Sequence, residues 1–259
     1  MRVAIDGTYF GVLPGLNTEQ LIRRAVDSGA EGLNWPFHEA FGSADPAEVA
    51  RQLSDAGQSA VTLGLTSHTS AAPGLEQEFR DHLVRALEAA QALDTRLLDA
   101  WPRRPQDVSK SLAQDTLRAN LEFAVPLLQQ ANCTLSLEFE PDTTLERYPE
   151  ALDFLVPFAP HVKITADTYH VVRIDDSLPS AAAALGQHLA VIHFSASHRG
   201  EPGSAGDTCD YAGFLDAALS AGYAGDLVLQ YKPEGEALDS LKRAVAFTRA
   251  IIAATAATH

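Results

Sequence analysis

Short apolar runs alternate with longer amphipathic segments from one end of the chain to the other. Runs rich in Val, Ile, Leu and Thr predict strands over residues 3–6, 32–35, 60–65, 96–100, 133–138, 162–167, 189–194 and 226–231. Between them, apolar residues recur at helical spacing over 17–28, 46–56, 76–92, 107–131, 145–158, 178–187, 211–221 and 235–254. Asn17-Thr18-Glu19 suits the start of the first helix, and Asp45-Pro46 suits an N-cap followed by proline in the first turn. Eight strand-then-helix units in 259 residues match the count and period of a closed parallel barrel. The competing architecture, a doubly wound sheet, would place a glycine-rich phosphate loop after the first strand. That turn reads Asp6-Gly7-Thr8-Tyr9-Phe10-Gly11 and lacks the fingerprint. The expectation is an α/β fold, a single (β/α)8 TIM barrel forming one domain over residues 1–259.

Parallel barrels carry their chemistry at the C-terminal ends of the strands. The last four predicted strands each finish in a side chain able to bind a metal ion: Glu138, Asp167, His193 and Gln230. Side chains alternate along a strand, so Ser136 and Glu138 share one face while Leu135 and Leu137 take the other. Lys163, Thr165 and Asp167 likewise oppose Ile164 and Ala166. The apolar set suits the layer beneath the helices, which turns the polar set into the barrel. Three oxygen donors and one imidazole suit Mn²⁺, Mg²⁺, Co²⁺ or a similar ion and differ from the thiolates of a structural zinc site. Taken singly, a strand-end acid also fits a loop cap, and a single His fits a hydrogen-bonded structural residue.

Charge narrows the partners. Nineteen Lys and Arg against 34 Asp and Glu give a formal net charge of −15, which repels nucleic acid and anionic membranes but leaves room for a local basic pocket. The longest apolar stretch, near the C-terminus, is shorter than the ~18 residues a membrane span needs and is broken by Thr255. The first residues enter a strand pattern without a signal peptide's apolar stretch. Cys133 and Cys209 form neither a zinc spacing nor a disulfide framework. These features together predict a reduced, cytoplasmic protein.

Four segments carry a resemblance: LSLEFEP around Glu138, ADTYH around Asp167, VIHFSASHRGEPGSAG around His193, and GYAGDLVLQYKP around Gln230. They resemble the xylose isomerase-like TIM-barrel superfamily, in particular its sugar and sugar-phosphate isomerase and epimerase branch, which includes tagatose 3-epimerase and inosose isomerase-type enzymes. The resemblance implies that Glu138 binds metal and serves as an acid/base. It implies metal binding for Asp167 and His193, and substrate binding for His170 and Arg199. Arg199 follows His193 by six residues and precedes a Pro202-Gly203 turn, the most specific part of the likeness. Self-association, as dimers or tetramers, is a further expectation of the family.

One departure stands out. The family's eighth-strand acid is Gln230 here, whose carbonyl can coordinate a metal but whose amide cannot act as a base near neutral pH. The activity the resemblance implies is a divalent-metal-dependent isomerisation or epimerisation of a sugar or cyclic polyol ketone. In it Glu138 removes a proton beside a carbonyl through a metal-stabilised enediolate. One base suffices for a 1,2-isomerisation or for β-elimination, so a metal-dependent lyase or dehydratase is an alternative. A non-catalytic sugar-binding subunit with a degenerate site is another. Glu140 shares the face of Glu138 and could replace the missing acid. His170 could instead bond a loop carbonyl, and Arg199 could form a surface ion pair. His38 and His68 could line the pocket. Trp35, Trp101 and Phe37 read as packing at the barrel mouth rather than as sugar platforms. A DNA-repair endonuclease of the same superfamily would need a multi-metal ligand set and a DNA-compatible surface, which this acidic chain does not clearly offer.

Overall fold

Strand formation follows the β-branched and leucine-rich runs, and the helices between them cover the outward faces of a closed barrel. In the computed structural model the strands are β1 Val3–Asp6, β2 Gly32–Pro36, β3 Ala60–Gly64, β4 Leu97–Ala100, β5 Thr134–Glu138, β6 Val162–Asp167, β7 Leu189–Phe194 and β8 Leu227–Leu229. All neighbours are parallel, and β8 pairs with β1 to close the ring in sequence order. The structure describes residues 1–12, 14–37, 41–65, 68–174 and 177–257. His38 therefore lies outside the described residues. The architecture is the expected (β/α)8 barrel.

The helices are α1 Thr18–Ser28, α2 Pro46–Asp55, α3 Glu76–Ala92, α4 Lys110–Ala131, α5 Tyr148–Leu155, α6 Thr168–Arg173, α7 Leu178–Leu185, α8 Tyr211–Ser220 and α9 Ala237–Ala256. Asn17 caps α1 in a capping box with Gln20, and the Asp45 side chain accepts from the Ala47 N–H at the start of α2. The predicted helix over 145–158 is shorter than expected. It begins at Tyr148 and tightens into a 3₁₀ turn at Val156–Phe158, where Pro157 removes a donor. Two elements follow from no apolar period: a π-type turn at Thr8–Val12 after β1 and the short helix α6 after β6. Both begin at a strand-end aspartate whose carboxylate accepts backbone N–H groups, so local polar bonding creates them. Among the described residues no helix is long and apolar enough to cross a membrane.

The main core lies between barrel and helices, where Ile5, Leu33, Leu63, Leu98, Leu135, Ile164, Ile192 and Leu229 are sealed from solvent under helix residues such as Leu21, Leu83, Leu117 and Phe214. A second, small cluster of Ala4, Val61, Val191 and Val228 fills the barrel. Ala4, Val191 and Val228 stand two positions before Asp6, His193 and Gln230, so each strand turns an apolar plug and then a polar group to the interior. Gly7 permits the close approach of the first loop to β2: a Cβ there would fall 2.7 Å from the Asn34 carbonyl oxygen and closer still to Pro36. Gly7→Ala is expected to cost about 1–3 kcal/mol through overpacking, read as a lowered thermal midpoint.

Candidate metal and catalytic site

Every strand-end group of the second half of the barrel is buried. Asp167 and His193 are sealed completely, and Glu138, His170 and Gln230 are within a few per cent of it. The floor beneath them is a hydrogen-bond chain. Thr165 Oγ1 donates to Asp99 Oδ1 at 2.6 Å, so its contact of 2.6 Å with Ser136 Oγ leaves Ser136 as the donor. This threads β4, β5 and β6 together directly under the site.

His193 stands between two carboxylates, with Nδ1 at 3.4 Å from Glu138 Oε1 and Nε2 at 3.5 Å from Asp99 Oδ2. Burial disfavours its charge, but the bond to Glu138 and the charges of Glu138 and Asp99 outweigh that and push it up to about 10. For Glu138 burial acts upward and is overcome by His193, His170 and Arg199, which bring the carboxyl down to about 2. Burial raises Asp99 to about 6 against the pull of His193. His170 is lowered, chiefly by burial. Its Nε2 faces Glu138 Oε1 at 3.7 Å and Glu140 Oε1 at 3.8 Å. Burial and the neighbouring Glu138 charge raise Glu140 to about 7.

Arg199 closes the site from above. Its backbone is left-handed, with φ 67°, and its own amide donates to the Ala196 carbonyl while its carbonyl accepts from Lys232. The guanidinium donates to Asp167 Oδ2, to Gln230 Oε1 at 2.9 Å and to the Tyr9 hydroxyl at 2.9 Å. The rings of Tyr9 and Tyr169 flank it, each 5.2 Å away. The loop that carries Arg199 is held by Asp207, whose carboxylate accepts from the Ser197, Gly203 and Cys209 amides and from the Tyr211 hydroxyl. Burial acts against the charge of Asp207, and these four donors overcome it and hold the group below its usual range. Gly203, at φ 76°, makes the turn after Pro202.

Gln230 follows β8 by one residue and is fixed at both ends. Its Oε1 accepts from Arg199, and its Nε2 donates to Asp6 Oδ2 at 2.9 Å. Asp6, 1% exposed, also accepts from Asn34 Nδ2 and from the Thr8 and Tyr9 amides. Where the resemblance implies an acid, position 230 thus holds an amide that faces a buried acid at the end of β1, and the amide is the group that such an acid can bond.

The donor atoms of Glu138, Asp167 and His170 lie within 4.8 Å of one another and could hold a metal ion. Two hard oxygens and an imidazole fit a divalent cation. The Nδ1 of His170 is buried without a hydrogen-bond partner among the described residues, whereas His193 Nε2, also without one, faces the Asp99 carboxylate at 3.5 Å. The grouping differs from the set read in the sequence, which was Glu138, Asp167, His193 and Gln230. His170 converges with Glu138 and Asp167, while His193 lies against Glu138 and Asp99 and Gln230 is held by Arg199 and Asp6.

Sequence reasoning missed Asp6, Asn34, Asp99, Tyr9 and Asp207. The first-strand acid was visible in Asp6-Gly7, and Asp99 shares the inward parity of Leu97 in the strand predicted over 96–100. Trp35 and Phe37 are core residues that pack on Phe41 and His82, whereas Trp101 is half-buried at the mouth. His68 lies exposed after β3.

The sequence pattern of the xylose isomerase-like TIM barrel family matches residues 22–251. The chain belongs to that family. A curated relative, hydroxypyruvate isomerase from Escherichia coli strain K12, is 27% identical over 170 residues. The match covers 62% of this chain and 65% of that protein, so the chain spans somewhat less than two thirds of its length. Among solved structures, L-ribulose 3-epimerase superposes with a TM-score of 0.85 at 15% identity, over 99% of this chain and 96% of that one. The 3-keto-D-glucoside 4-epimerase of E. coli gives 0.83 at 17% identity over 96% and 99%. An AP endonuclease, family 2, from Brucella melitensis gives 0.81 at 22% identity over 95% and 98%. At these identities the superpositions establish the fold of this family member.

Proposed function

We propose that this chain is a divalent-metal-dependent isomerase or epimerase of a small polyhydroxylated carbonyl compound. The observation that carries the reading is the convergence of Glu138, Asp167 and His170 at the end of the barrel where this fold does its chemistry. The relative named for hydroxypyruvate isomerisation and the neighbours named as sugar epimerases support the reaction class. A net charge of −15 argues against the polyanionic substrate of the endonuclease neighbour.

Glu138 and Asp167 would hold the ion with an imidazole, His170 or His193. A bound divalent ion would polarise the substrate carbonyl and offset negative charge developing on it. Glu138 is ionised and sits on the inward face of β5, so it is the group placed to take a proton from the carbon beside that carbonyl. His170, between Glu138 and Glu140, and Arg199, at the lid of the site, are placed to bond substrate oxygens. The side chain of Gln230 has both ends bonded and cannot accept a proton, so proton transfer is confined to the Glu138 side. That favours returning the proton to the neighbouring carbon, a 1,2-isomerisation. The same one-sided arrangement suits a lyase, which the test separates.

Substrate candidates incubated in D₂O with Mn²⁺-restored enzyme are expected to gain deuterium at carbon with no other change of formula. Chelator treatment should abolish the exchange. Loss of water or a cleaved fragment in the mass spectrum would favour the lyase. A panel of ketoses, hydroxy-keto acids and inososes bound but never exchanged would favour a sugar-binding role.

A further inference from the structure

A second cavity of about 470 Å³ opens beside the catalytic cluster, between the loops that follow β4 and β5. Its wall includes Glu140, which faces His170 at 3.8 Å, so the cavity and the cluster share a partition. Its charged lining is unexpected for so acidic a chain: Arg103, Arg104 and Arg173 converge on it around Trp101, against Glu140 and the exposed Asp142.

These guanidinium groups are poorly paired. Arg104 lies 3.8 Å from Glu146 and Arg173 lies 3.9 Å from the exposed Asp142, both beyond hydrogen-bond length. Among the described residues none of the three makes a side-chain hydrogen bond. They are nevertheless positioned. Arg103 lies over the Trp101 ring at 5.6 Å, and Arg173 over Tyr169 at 5.6 Å. Pro102 and Pro105 restrict the backbone on either side of the arginine pair, and the Arg103 amide bonds the Trp101 carbonyl at 2.8 Å. Trp101, half-buried, supplies the ring on which Arg103 rests. Three planar cations lining one polar cavity, none with a side-chain hydrogen bond among the described residues, lack a single thing, an anion with several oxygens.

We infer that this cavity is an anion subsite, which takes a carboxylate or phosphate carried by the substrate while the carbonyl end lies against Glu138, Asp167 and His170. The inference rests on the proposed function only for where the reacting end lies. It narrows the substrate from neutral sugars to sugar acids or sugar phosphates. In a protein whose overall charge repels anions, a local cluster of this kind supplies the attraction that brings such a substrate to the mouth.

The test uses three six-carbon probes that differ in charge: sorbitol, gluconate and sorbitol 6-phosphate. Binding to the full chain is followed by calorimetry and by tryptophan fluorescence, to which Trp101 in the cavity reports. At least one charged probe should bind about tenfold or more tightly than sorbitol, and its affinity alone should fall as salt rises. Arg103→Gln and Arg173→Gln should each remove most of that advantage without changing sorbitol binding. The stronger of gluconate and sorbitol 6-phosphate identifies the anion as carboxylate or phosphate. Equal binding of all three, or no binding by any, overturns the subsite even if one variant fails to fold, because the comparison is made on the parent chain. Failure of the proposed reaction looks different: charged probes still bind through the arginines, but no compound exchanges deuterium.

Discussion

Glu138→Gln is expected to lower turnover by about 10²–10⁴-fold, the contribution of a positioned general base. The substitution keeps the shape of the side chain and removes a carboxylate that lies 3.7 Å from His170 Nε2 and 3.4 Å from His193 Nδ1. The parent group is held ionised at any pH the protein would meet, because His193, His170 and Arg199 together overcome the cost of burying it. Removing it also takes from His193 the bond and the charge that do most to stabilise its protonated form, leaving Asp99 and Asp167 as acidic neighbours. Some loss of stability, about 1–3 kcal/mol, should therefore accompany the loss of rate. Rate and thermal midpoint measured on the same preparation separate the two effects. A variant that melts lower and still turns over at the parent rate would remove Glu138 from the mechanism.

Gln230→Glu introduces the acid that the resemblance implies for this position and is nevertheless expected to destabilise the protein, by about 2–4 kcal/mol near neutral pH. The new carboxylate would stand where the amide now donates to Asp6 at 2.9 Å, with both groups buried. Like charges so placed share a proton, so the sign of the pH dependence is fixed. In the variant the pair binds a proton more tightly when folded than when unfolded. The loss is small in acid, where one group is protonated in both states, and grows as pH rises through the carboxylate range. Adding Asp6→Asn reverses the pair and should recover most of the stability, a coupling that equilibrium denaturation of the four proteins would measure. A single Gln230→Glu variant as stable as its parent at pH 7 would show that Asp6 does not determine the residue at position 230.

The fold was legible because a barrel repeats one local rule eight times. The strands were recovered to within a residue or so at most ends, with β8 the main exception: its paired register ends at Leu229, and Gln230 keeps one backbone bond, to the Phe194 carbonyl, while its side chain is held by Arg199 and Asp6. Of the buried polar groups at this end of the barrel, the sequence pointed to those that close a strand with a recognisable neighbourhood, as Glu138, Asp167 and His193 do. Asp6 and Asp99 were not, since a single acid at the end of a short apolar strand is indistinguishable in sequence from a loop cap. Their meaning arises from groups far along the chain, Gln230 for Asp6 and Thr165 and His193 for Asp99. The arginines of the mouth were hidden for a similar reason. Arg103 and Arg104 follow β4 and Arg173 ends α6, so only the closing of the barrel brings them to one cavity.

The account depends most on a cation bound among Glu138, Asp167 and an imidazole. A crystal of the chain soaked in Mn²⁺ and measured at the manganese absorption edge tests this directly. It should show an anomalous peak within coordination distance of Glu138 and Asp167, with the Arg199 guanidinium moved off Asp167. A map with no peak there, and Arg199 still bonded to Asp167 at saturating Mn²⁺, would contradict it.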